Sequence, residues 1–158
     1  MIFLAACGAL LGNASTTPAQ ETGAHPDFRG VWRMDTTKFE KRDALLSALK
    51  LTVSQRGDTL GIVTDVVDTG SAPIQMRASY LPATTPGIST ASDPRATTGS
   101  FDWQGDTLVL RRTEHRPERT LEIEERWALA GNGKTLARFQ RVRDGARLSQ
   151  QTLLFTRP

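Results

Sequence analysis

One cysteine, two histidines and one tyrosine are all that 158 residues contain of those types. These shortages close off several kinds of chemistry before any pattern is read. Cys7 alone makes no intramolecular disulfide and no cysteine-based metal site. His25 and His115 are too few and too far apart in sequence for a metal centre. No metal and no other cofactor is therefore expected. The chain has neither a Gly-x-Ser-x-Gly elbow nor a glycine-rich phosphate loop. The carboxylates Glu122, Glu124 and Glu125 read as a solvated strand face rather than a catalytic pair, so the chain is not expected to be an enzyme. A long hydrophobic run is missing too: the apolar stretch 1–12 is too short to span a bilayer. Charge of one sign is also absent, since 20 Lys and Arg face 17 Asp and Glu for a net +3. The arginines between Arg111 and Arg147 are interleaved with Glu114, Glu118, Glu122, Glu124 and Glu125. That pattern makes a solvated face, not the one-signed field a nucleic acid needs, and no nucleic-acid partner is expected.

The apolar stretch at the N-terminus reads as a signal h-region. Within it, Leu4-Ala5-Ala6-Cys7 fits the lipobox of bacterial lipoproteins, in which Cys7 would be lipidated and become the new N-terminus. Residues 13–24 are rich in Ser, Thr, Ala, Gln and Pro, the composition of a flexible tether. Only six residues precede Cys7, and no basic residue is among them. Soluble export after Thr17-Pro18-Ala19 is therefore a rival, and a cytosolic protein with an apolar N-terminus is a third reading. The expected organisation is a leader and tether over 1–24 and one domain over 25–158. The expected location is either the outer membrane, facing the periplasm through a lipid anchor alone, or the soluble periplasmic or secreted fraction. A monomer is expected.

What the chain does have is alternation. Asp27-Phe28-Arg29-Gly30-Val31-Trp32-Arg33 opens the folded part, with Trp32 and Met34 on one face and Arg33 and Asp35 on the other. Gly30 sits where the backbone bends or another chain comes close. Leu49, Leu51 and Val53 continue the pattern, followed by Leu60, Ile62, Thr64 and Val66, then Ile74, Met76, Ala78 and Tyr80. The second half repeats it with Phe101 and Trp103, Leu108 and Leu110, and Leu121, Ile123, Trp127 and Leu129. Turns fall at Gln55-Arg56-Gly57-Asp58, Asp68-Thr69-Gly70-Ser71, Gln104-Gly105-Asp106, Gly131-Asn132-Gly133-Lys134 and Asp144-Gly145. A last strand runs over 147–157, and Arg157 can lie over the Trp32 ring and close a sheet into a barrel. About nine strands, within eight to ten, joined by short connections, predict antiparallel neighbours.

Phe28-x-Gly30-x-Trp32-Arg33, the hairpin series with Gly-Asp-Thr-Leu turns and the terminal Arg157 together resemble the calycins, meaning lipocalins and fatty-acid-binding proteins. They are most similar to the small lipocalin-like domains of exported bacterial proteins. The resemblance covers roughly residues 27–157. It implies an all-β, antiparallel up-and-down barrel with one short helix after the first strand. It also implies a structural role for Gly30, Trp32 and Arg157 in barrel closure. The Arg-x-Tyr with which fatty-acid-binding proteins hold a carboxylate is missing from the last strand.

Thr37-x-x-Glu40 has the form of a capping box and predicts the helix at about 38–47, either covering a barrel mouth or plugging the core. Residues 81–95, with three prolines, form the longest irregular stretch, either a lid or a surface excursion. Alternation points Glu125 inward with Trp127 and Arg112 inward with Leu110, so an Arg112–Glu125 pair inside the barrel is expected unless a bulge resets the register. The strand after it is ambiguous, because Leu136, Arg138, Gln140 and Val142 compete with Ala137, Phe139 and Arg141 for the interior. The candidate ligand-binding residues are Met76, Tyr80, Trp103, Arg112, Glu125, Trp127, Arg138 and Arg141. Two functions follow: a lumen that binds a small hydrophobic or amphiphilic molecule, one with an acidic head suiting the inward arginines, or a filled barrel acting through its outer surface as an envelope interaction module.

Overall fold

The computed structural model describes residues 25–38, 46–68, 72–85 and 96–157. Nine strands form one closed barrel in chain order: β1 (Gly30–Met34), β2 (Leu46–Arg56), β3 (Thr59–Asp68), β4 (Ile74–Pro82), β5 (Ala96–Gln104), β6 (Thr107–Arg116), β7 (Arg119–Ala130), β8 (Thr135–Asp144) and β9 (Arg147–Thr156). β1 pairs with β9 through Arg33–Thr156 and Met34–Phe155, and this short seam closes the sheet. The fold is all-β and calycin-like.

The period-two pattern sets the register through most of the barrel, with one irregularity in β2 between Leu46 and Ala48. Leu51, Ile62, Tyr80, Leu108, Leu110, Trp127, Leu136 and Phe155 all face the lumen and are buried. Most hairpins turn through a glycine whose backbone is left-handed, as at Gly57, Gly105 and Gly145. A side chain there would be strained, and the recurring Gly-Asp or Gly-Ala pair meets that need.

One expectation of the fold changes. One neighbour pair, β4–β5, runs parallel, with Arg77 opposite Ala96 and Pro82 opposite Phe101. A tight hairpin can only reverse a strand, and the link from Pro82 to Ala96 is long enough for the chain to re-enter in the same direction. The barrel is therefore mixed rather than wholly antiparallel. The helix expected at 38–47 falls mostly outside the described residues. On either side of that gap the chain forms a 3-10 turn at Thr36–Lys38 and, from Leu46, strand β2.

The barrel has two unlike ends. At one, the segment before β1 folds across the opening and fills it. Phe28 is buried against Trp103 and Trp127, with ring centroids 5.9 and 6.1 Å away. Trp32 is fully buried, and its Nε1 donates to the Phe28 carbonyl at 2.8 Å. The Arg157 guanidinium lies 4.3 Å over the Trp32 ring and donates from Nη2 to the Asp27 carbonyl, while its buried Nε has no hydrogen bond. The ring face offsets part of that loss. His25, the first residue of the expected domain, stacks flat on Trp103 at 4.1 Å. At the other end, among the described residues, the lumen-facing side chains of β4 and β9 are exposed. Ile74 and Met76 of β4 are 57% and 48% exposed, and β9 is exposed from Arg147 to Thr152.

Candidate functional site

The lumen is divided at mid-height by a buried charged cluster. Cross-strand pairing puts Leu110 opposite Glu125, Glu125 opposite Gln140, and Trp127 opposite Arg138. The register runs unbroken through Glu125, so no bulge turns it outward. Pairing also decides between the two faces of β8, because Leu136, Arg138, Gln140 and Val142 sit beside the lumen residues of β7 and Arg141 is opposite the outward Glu124.

Glu125 is 2% exposed and accepts from every side. Arg138 grips both carboxylate oxygens, Nη2 to Oε1 at 2.7 Å and Nε to Oε2 at 2.9 Å. Arg112 Nη1 donates to Oε1 at 2.7 Å and to the Tyr80 hydroxyl at 2.8 Å. Trp127 Nε1 donates to Oε2 at 2.9 Å, and Gln140 Nε2 to Oε1 at 3.2 Å. Arg112 Nε reaches Glu114 at 3.2 Å, so two guanidinium groups face two carboxylates. The Arg138 guanidinium also lies 6.0 Å from the Trp127 ring centre.

Burial alone would raise the Glu125 carboxyl, but the charges and hydrogen bonds of Arg138 and Arg112 outweigh it and hold it at about 2. Burial and the neighbouring Glu125 charge push the Tyr80 hydroxyl up to about 12, so it stays protonated. Burial works against the charge of Arg112, but Tyr80 and Glu125 more than compensate and keep it a permanent cation. A chain of amides continues upward from the cluster, as Gln151 Nε2 donates to Gln140 Oε1 at 2.7 Å. Above it, the rim holds a recess of about 590 Å3 lined by Arg119, Leu121, Val142, Asp144, Arg147 and Ser149, among others.

Of the candidates read from sequence, Tyr80, Arg112, Glu125, Trp127 and Arg138 meet in this cluster. Met76 stands on the lumen face near the open end, half exposed. Trp103 belongs to the filled end, where it contacts His25 and Phe28. Arg141 is on the outer face, in a groove of about 760 Å3 across β5–β8 that also holds Arg111, His115, Glu122, Glu124 and Arg143. Its removal from the interior corrects the expectation. Gln140 and Gln151, which alternation points inward with Arg138 and Leu153 but which were not among the ligand-binding candidates, join the cluster, and Glu114 was overlooked although it is in register with Arg112. Residues 1–24, including the lipidation candidate Cys7, lie outside the described residues.

No protein-family model and no curated protein sequence matches the chain. Solved structures do. A variant of the fluorescent protein UnaG superposes with a TM-score of 0.51 at 14% identity, covering 83% of this chain and 96% of its own. Secretory abundant heat soluble protein 4 from Ramazzottius varieornatus superposes at 0.50 and 13% identity, covering 82% and 94%. Both likenesses are of fold.

Proposed function

We propose that this barrel is a binding protein, not a catalyst, and that it takes one small amphiphilic molecule into the open half of its lumen. The observation that carries this reading is the exposure, among the described residues, of the lumen face beyond the Glu125 cluster. Ile74 and Met76 are large, apolar and about half exposed there, where a filled barrel would bury them. A wall of apolar groups above a few fixed polar ones is the usual make-up of a small-molecule site. Export, with Cys7 as lipid anchor or with the leader removed, belongs to the same proposal and rests on the sequence of residues 1–24.

A second reading has its own support. The outer groove on β5–β8 holds Arg141, which has no ion pair among the described residues, beside the paired Arg111–Glu124 and Arg143–Glu122. A barrel working through that face would be an interaction module. Native mass spectrometry of the full chain recovered from a cell-envelope fraction separates the two. A stoichiometric small-molecule adduct supports the lumen. A clean apo mass, with no thermal shift across a panel of lipids and small molecules, moves the function to the outer face.

A further inference from the structure

We infer that Glu125 makes the lumen select against anionic head groups, so that the molecule it takes is a neutral, hydrogen-bond-donating amphiphile such as an alcohol or an amide. This rests on the binding reading above and names the ligand class within it.

The argument begins with charge. Two lumen-facing guanidinium groups, Arg112 and Arg138, would ordinarily mark a site for an acid. Here Glu125 already pairs with both, in bidentate fashion for Arg138, and Glu114 accepts from Nε of Arg112. An incoming carboxylate would add a negative charge beside Glu125 and Glu114, and the two guanidinium groups there are already charge-balanced. Burying an uncompensated charge is costly.

Beyond the two guanidinium groups, whose charges Glu125 and Glu114 balance, the groups open to an incoming head are neutral. Gln151 spends its amide nitrogen on Gln140, and its carbonyl oxygen has no partner among the described residues. Ser149, two residues along the same face, is exposed on the rim recess. An amide oxygen asks for a donor, and an ionised carboxylate has none to give. A hydroxyl or amide head supplies one. Arg147 at the rim is the exception, a cation without an ion pair among the described residues. It is exposed, so its gain for an anion is at most about fivefold.

The test compares decanoate with decanol by isothermal titration of the full chain at neutral pH, in the wild type and in Glu125→Gln. The wild type is expected to bind decanol at least about tenfold more tightly, since a charge left unpaired in the lumen costs that or more. Glu125→Gln is expected to move the preference toward decanoate by a similar factor. That variant strands two guanidinium groups, so it carries a second readout. Formate, small enough to stand in for the lost carboxylate, should raise its Tm, or its refolded yield, more than chloride does at equal ionic strength. It should leave the wild type unmoved. Glu125→Asp keeps the charge one methylene short and should show an intermediate preference. Equal or tighter binding of decanoate by the wild type overturns the selectivity alone, as does a Glu125→Gln variant indifferent to formate. Failure of both probes on the wild type overturns the binding reading, and the selectivity with it.

Discussion

A carboxylate survives inside a β-barrel at Glu125 because five donors converge on it, from Arg112, Trp127 and Gln140 once each and from Arg138 twice. Removing it leaves those donors buried around nothing. Glu125→Gln should cost about 3–5 kcal/mol at neutral pH, read by urea unfolding, as breaking a buried pair does. Its acid response carries a sign. The folded carboxyl sits at about 2, below its ordinary 4.5, so its contribution is complete above about pH 4.5 and is lost as pH falls towards 2. The wild type should weaken across that window by roughly 3 kcal/mol on this account, and Glu125→Gln should show a flatter profile. Asp27, held at about 2 by its hydrogen bonds from Arg29, shares the window. It is exposed, so high salt suppresses its share and isolates that of Glu125. The inward positions of Arg112 and Glu125 were legible from alternation with Leu110 and Trp127. Arg138 against Arg141 was not, because β8 has apolar residues on both faces. Its orientation comes from the neighbouring Trp127 and Phe155 strands, which the β8 sequence does not contain.

Strand positions were legible from spacing alone, because turn glycines punctuate them. Pairing direction between β4 and β5 was not, since nothing in Ile74–Pro82 or Ala96–Gln104 encodes whether the chain re-enters from the same end. The capping-box pattern Thr37-x-x-Glu40 likewise marks a start without fixing a length. At the β4–β5 junction the strands meet tightly at Gly99, which is paired with Tyr80 and Arg112. A methyl group there would press on the Arg111 carbonyl oxygen and stand 2.8 Å from the Tyr80 ring. Gly99→Ala should lower stability by about 1–3 kcal/mol, the range for overfilling a close contact. An unchanged Tm would mean that Tyr80 can swing away from Arg112, and the hydrogen bond between them would then add little.

The described residues form a cup, filled at one end and with exposed lumen residues at the other, with the Glu125 cluster as its floor. Trp32 anchors the solid end between the Phe28 carbonyl and the Arg157 guanidinium. Trp32→Ala should cost about 3–5 kcal/mol by chemical denaturation, as for a buried aromatic ring. A small effect would mean that Phe28 and Trp103 fill that end without it. The solid end was legible in Phe28-x-Gly30-x-Trp32 and Arg157; the exposure of Met76 was not, because alternation fixes which face a side chain is on and not how far along the lumen the packing reaches. The contact from Arg157 to Asp27 spans 130 positions, nearly all of the folded chain, and ties its first strand to its last. The hairpins from β5 to β9 form between near neighbours and need little chain to be gathered. The β1–β9 seam must wait until the intervening strands are laid down, and the entropy of closing so long a loop falls on a few contacts. Ring closure is then expected to come late in folding, after the hairpins, and the seam to be the first place to open. Substitutions at Trp32 or Arg157 should act mainly on how long the folded barrel lasts, rather than on how quickly its hairpins assemble.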